Sequence, residues 1–230
     1  MLEDPAPPCA EMLADAARQG SHIVLTGGST PKRAYEEAAR LEQDWSRATL
    51  WWSDERCVPP DDELSNYGLV RESLLDRLPD EGSPQVYRMP AERGPHVGAD
   101  DYERDMRAAF GEQIPRLDFL LLGLGPDGHV ASLYPGQETL DVSDRAAVGV
   151  EEAGWKPYVP RVSLTMPVLN AARRVVFLIA GEDKAEAVER CFAPDVEPSH
   201  EAPGSLVRPA EGDLILLLDE AAASRLPARA

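Results

Sequence analysis

The sequence predicts a doubly wound α/β layer structure, with a largely parallel sheet flanked by helices, in a single domain over residues 1–230. Three observations carry this reading. Short apolar runs alternate along the chain with segments of helical period. Several of those runs are apolar throughout, as strands covered on both faces must be, instead of alternating in polarity. At 230 residues and 43% hydrophobic content, the chain can bury one substantial core.

Taken in order, the helical period of residues 12–18 precedes a strand over 23–26, and a Gly-Gly-Ser-Thr-Pro junction leads into a helix over 31–41. A strand over 49–52 follows, then a helix over 67–78 that starts near Asn66-Tyr67. Pro, Gly and charges break every pattern over 79–95, which reads as a loop, before a helix over 99–110. The run at 117–122 is a strand, and 137–155 is irregular except for a short strand at 146–150. A strand over 174–180, a helix over 184–192, a Pro-rich acidic segment over 191–209, a strand over 214–218 and a short helix after Asp219 complete the chain. No internal repeat or linker composition interrupts it.

The formal charge is −18, from 23 Lys+Arg against 41 Asp+Glu. Such a field repels polyanions, so neither nucleic acid nor an anionic membrane is expected as a partner, and an anionic metabolite needs a local basic pocket. The three cysteines are odd in number and lack Cys-x-x-Cys spacing, which argues against a disulfide framework or a zinc site. The first twenty residues lack a basic segment followed by an apolar one, and no stretch has the length to cross a bilayer. A cytoplasmic protein is expected.

The residues that can carry chemistry gather where strands end. The apolar run at 117–122 empties into Gly-Leu-Gly-Pro-Asp-Gly-His, which delivers His129 to a strand's carboxyl end, where ligands of open α/β sheets collect. The plainer alternative is that Asp127-Gly128 makes a tight turn. After the strand at 23–26, Gly27 and Gly28 allow close backbone approach, Ser29 and Thr30 offer hydroxyls, Thr30 suits the N-cap and Pro31 the first helical position. A phosphate fits such a junction. Lys32 and Arg33 place positive charge in a first turn that ordinarily prefers carboxylates. Lys184 near a helix start and Arg161 before Val162-Ser163-Leu164-Thr165 supply further cations. Asp54 and Arg56 stand past the end of the strand at 49–52, as site residues or as a surface ion pair. Gly123-x-Gly125-x-x-Gly128 is weak as a dinucleotide signature: Asp127 puts negative charge where a pyrophosphate would lie, so NAD is not expected. The tryptophans read as core or pocket wall, His22, His96 and His200 as structural, and no Gly-x-Ser-x-Gly elbow suggests a serine hydrolase.

Together, Gly27-Gly28-Ser29-Thr30-Pro31, Ser53-Asp54-Glu55-Arg56, Ser65-Asn66-Tyr67, Gly123 to Leu133, Pro160-Arg161 and Gly181-x-x-Lys184 resemble the 6-phosphogluconolactonase family over most of the chain. The resemblance implies an open Rossmann-like sheet shared with glucosamine-6-phosphate deaminases and ribose-5-phosphate isomerases. It also implies hydrolysis of 6-phospho-D-glucono-1,5-lactone, a small phosphorylated sugar lactone, with no metal or organic cofactor. Carried onto this sequence, His129 activates the water, Asp127 orients it or the imidazole, and Gly28, Ser29, Thr30, Arg161 and Lys184 hold the phosphate. Gly27 belongs to the same loop, and Asp54 and Arg56 line the pocket. The sequence departs in one respect: only a short helix and no clear strand precede Ile23, so an edge strand is expected to be missing. The competing readings are a glucosamine-6-phosphate deaminase or related isomerase, and a noncatalytic sugar-phosphate sensor. The sensor would need a DNA-binding module, for which this sequence offers no basic recognition helix.

Overall fold

A computed structural model describes residues 2–227. In chain order its helices and strands are α1 (Ala6–Gln19), β1 (His22–Leu25), α2 (Ser29–Leu41), β2 (Thr49–Trp52), β3 (Asp54–Arg56), α3 (Asn66–Ser73), β4 (Gln85–Val86), α4 (Pro95–Phe110), β5 (Phe119–Leu122), β6 (Ala147–Val150), β7 (Arg161–Leu164), α5 (Met166–Ala171), β8 (Arg174–Ile179), α6 (Ala185–Phe192) and β9 (Asp213–Leu218). Six strands form one sheet in the order β4-β2-β1-β5-β8-β9, and every pairing in it is parallel. The expected sheet is therefore present, flanked by helices. Beyond their first residues its central strands are buried: Leu50, Trp51, Ile23, Val24, Leu120, Leu121, Val175 and Val176 are all solvent-inaccessible. This explains their unbroken apolar character.

The structure extends the sequence reading in four places. A second, antiparallel sheet of order β3-β7-β6 lies beside the first; its strand β3 was not expected, while β7 falls on the β-rich run that follows Arg161. Strand β4 pairs Gln85 with Thr49 inside the segment read as loop. Helix α5 is also new. Helices α1 and α4 start earlier than residues 12 and 99, because Pro7, Pro8 and Pro95 sit in first turns, where the missing amide hydrogen has no partner to lose. One expectation fails: the short helix after Asp219 is a run of turns, with the Asp219 carboxylate accepting hydrogen bonds from the amides of Ala222 (2.7 Å) and Gly181 (3.0 Å). Those bonds tie the end of β9 to the loop after β8.

Strand β9 forms an edge of the large sheet, and among the described residues only a single parallel bridge, Leu2 to Asp219, is added beyond it. Trp45, Trp51 and Trp52 are fully buried, and the Trp51 indole N–H donates to Nδ1 of His22 (3.1 Å), so this histidine serves the core. Cys9, Cys57 and Cys191 are free thiols, and burial pushes Cys9 up to about 12 and Cys191 up to about 11, which suits packing more than reactivity. Among the described residues no helix is long and apolar enough to cross a membrane.

Candidate active site

A parallel sheet directs all its carboxyl ends to one side, and four of these ends meet at a cleft of about 440 Å³. Strand β1 delivers Gly27, Gly28 and Ser29, β2 delivers Asp54 and Arg56, β5 delivers Gly125 and His129, and β8 delivers Lys184. Arg161, the first residue of β7, lines the cleft from the small sheet, opposite Arg56 in the β3–β7 register. Of the ten residues singled out from the sequence, only Thr30 and Asp127 are not in the lining, and each adjoins it.

His129 and Asp127 form a hydrogen-bonded pair. The imidazole Nδ1 lies 2.5 Å from Asp127 Oδ1, which also accepts the His129 backbone N–H (3.1 Å). Burial alone would raise the Asp127 carboxyl, but the hydrogen bond and charge of His129 hold it below its ordinary range. An ionised carboxylate only accepts, so Nδ1 carries the hydrogen and Nε2 is the ring nitrogen without it. Gly125 makes the pairing possible: a Cβ there would stand 2.0 Å from His129 Nδ1 and 2.6 Å from Asp127 Oδ1. Tyr134 packs its ring against the imidazole from the other side, centroids 4.7 Å apart.

The geometry of the Gly27-to-Pro31 loop corrects one detail. Thr30 is not the N-cap and Pro31 is not the first helical residue: Gly28 is the cap, with φ of +107°, and α2 begins at Ser29. The left-handed turn at Gly28 starts the helix two residues earlier than a Thr cap would. No side chain caps α2, so the unbonded amides of its first turn open toward the cleft that Gly28 and Ser29 line.

In the same cleft, Asp54 is a buried hub. It accepts from the hydroxyls of Ser132 (2.7 Å) and Ser53 (3.1 Å) and stands 3.8 Å from Arg161 Nη1. Asp54 and Arg161 thus form a buried pair, which settles the question of a surface ion pair. Arg161, 3% exposed, also donates Nη2 to the Pro157 carbonyl (2.8 Å) and Nε to that of Val159 (3.2 Å). Burial lowers its pKa, opposed by the charge of Asp54. Arg161 therefore holds the rim segment between β6 and β7. That rim carries Trp155 and Lys156, both cleft-lining and exposed; sequence reading missed Lys156 because it lies in a stretch without pattern. Arg56 Nη1 donates to the Leu64 carbonyl (2.6 Å), while Lys184 lies 3.7 Å from Asp183. Among the described residues no Lys156 hydrogen bond or ion pair is formed, and no group of three His, Cys, Asp or Glu side chains could hold a metal ion.

An imidazole, a helix N-terminus and several cations line one polar cleft. Residues 4–216 match the family described as glucosamine-6-phosphate isomerases/6-phosphogluconolactonase. The chain is 43% identical to the 6-phosphogluconolactonase of Homo sapiens, over 91% of this chain and 82% of that one. It is 39% identical to the 6-phosphogluconolactonase of Synechocystis, over 92% and 87%. The solved 6-phosphogluconolactonase of Trypanosoma cruzi superposes with a TM-score of 0.84 at 27% identity, covering 99% of this chain and 96% of that one. The chain belongs to the glucosamine-6-phosphate isomerase/6-phosphogluconolactonase family.

Proposed function

We propose that the protein hydrolyses 6-phospho-D-glucono-1,5-lactone to 6-phospho-D-gluconate, the second step of the oxidative pentose phosphate pathway, working as one α/β domain in the cytosol. The observation that carries this reading is the convergence of the His129–Asp127 pair with the Gly28-capped helix start in one cleft.

The lactone's phosphoryl group docks on the Gly27-Gly28-Ser29-Thr30 loop, Lys184 and Arg161, where amides, hydroxyls and cations meet a dianion. Nε2 of His129 takes a proton from water as its oxygen attacks C1, and Arg56 offsets the negative charge that develops on the carbonyl oxygen. Collapse of the tetrahedral intermediate breaks the bond from C1 to the ring oxygen, and the imidazolium returns its proton there. Asp127 keeps the required tautomer throughout. Asp54 fixes Arg161, whose bonds to two rim carbonyls make it a stationary charge more than a mobile fork. No cofactor enters this scheme, and the acidic surface disfavours nucleic acid and anionic membranes as partners.

The test compares purified protein with buffer for opening of the phosphorylated lactone. The wild type should exceed the spontaneous rate by orders of magnitude, and His129→Ala should fold yet lose most of that excess. Near-wild-type turnover by His129→Ala would remove the base; ammonia release from glucosamine 6-phosphate, with no lactone opening, would replace the activity.

A further inference from the structure

Asn66, the first residue of α3, is 1% exposed and lines the cleft, yet the scheme above gives it no task. Its side-chain Nδ2 donates to the backbone carbonyl of Asp54 (2.8 Å) and lies 3.4 Å from that residue's Oδ1. Two oxygens on that side fix which end of the carboxamide is nitrogen, because a flipped amide would set oxygen against oxygen. Oδ1 must then point the other way, where it is buried and has no hydrogen-bond donor. It is pressed against Gly27: a Cβ on that residue would stand 1.8 Å from Asn66 Oδ1 and 2.4 Å from its Cγ.

The backbone of Asn66 is fixed as firmly. Its amide donates to Glu55 Oε1 (2.8 Å), and the same carboxylate receives the amides of Arg56 (2.7 Å) and Tyr67 (2.8 Å) and the hydroxyl of Ser65 (3.0 Å). The carboxamide is thus a rigid plate anchored to β3 on one side and abutting the first glycine of the phosphate loop on the other. A buried acceptor left without a donor calls for an explanation in its surroundings, and here those surroundings are the Gly27 backbone. We propose that Asn66 is a positioning residue for the phosphoryl subsite: its carboxamide seats the Gly27 backbone and so sets how the Gly28 turn and the first amides of α2 face the substrate.

The inference rests on the reading that this loop binds phosphate, and the experiment separates the two. For the wild type, KM for the phosphorylated lactone and inhibition by inorganic phosphate are measured first; no lactone opening or no phosphate inhibition would sink that underlying reading. Given both, Asn66→Ala should raise KM and the phosphate inhibition constant together by about tenfold or more, with kcat within about threefold, because His129 stands on a different strand end. Gly27→Ala should impair phosphate binding more severely, through the clash with Oδ1. Combining it with Asn66→Ala should recover part of that loss, a non-additivity that only direct contact produces. Should Asn66→Ala fail to fold, Asn66→Ser carries the same test: it removes the carboxamide packed against Gly27 without adding a charge beside the phosphate. A folded Asn66 variant with wild-type KM and phosphate inhibition, even with a lowered Tm, would overturn the proposal, as would strictly additive effects in the double variant.

Discussion

The chemistry of a single residue depends here on which nitrogen of His129 holds the hydrogen, and Asp127 decides it. In Asp127→Asn the amide NH2 can donate to Nδ1, which then accepts and leaves the hydrogen on Nε2, the nitrogen needed as base. The expected outcome is a fall in kcat of about a hundredfold or more with KM for the phosphorylated lactone little changed. Steady-state kinetics on a variant with native circular dichroism checks this, and equal losses in KM would point to loop collapse instead. The same pair has a pH signature. The Asp127 carboxyl lies below its ordinary value in the folded state, so its contribution to stability is present above about pH 4 and disappears as pH falls through the depressed value. Relative to Asp127→Asn, the wild type should therefore hold its advantage in urea at neutral pH and lose it in acid. This pair was legible in sequence because both residues share one short loop. The rim-fixing bonds of Arg161 were not, since the carbonyls it binds become neighbours only when the chain turns before β7.

At the scale of elements, the strands of the large sheet were readable because burial on both faces demands apolar residues throughout. Strand β3 was not, because its sequence is Asp-Glu-Arg. Pattern reading sends such a triplet to the surface, whereas here Asp54 and Glu55 are 6% and 4% exposed, each satisfied by groups far along the chain. Glu55 accepts four hydrogen bonds and holds the start of α3, with Ser65 as its N-cap. Burial raises its pKa against the pull of those bonds. Glu55→Ala should strand the amides of Arg56, Asn66 and Tyr67 and destabilise the fold by about 3 kcal/mol, read as a lower urea midpoint. A loss under about 1 kcal/mol would mean that water enters and replaces the carboxylate. Cap prediction at α2 failed for a related reason: Thr30 is a good cap by type, but Gly28 turns the chain first.

At the scale of the whole molecule, an enzyme of net charge −18 acting on a dianion must overcome its own field at the entrance to the cleft. Arg56, Lys156, Arg161 and Lys184 make the cleft positive, but Arg161 is paired with Asp54 and Lys184 lies near Asp183. Lys156 stands exposed on the rim that Arg161 anchors, with no ion-pair partner among the described residues, so its field extends farthest into solvent. Lys156→Gln should lower kcat/KM for the phosphorylated lactone roughly three- to tenfold at low ionic strength, with kcat nearly unchanged. Because the Debye length shrinks to about 3 Å near 1 M salt, the variant and the wild type should converge there. The screening comparison separates long-range capture from contact: a deficit that persists in high salt would place the ammonium directly on the bound phosphoryl group, and no deficit at low salt would leave the rim without a part in substrate capture.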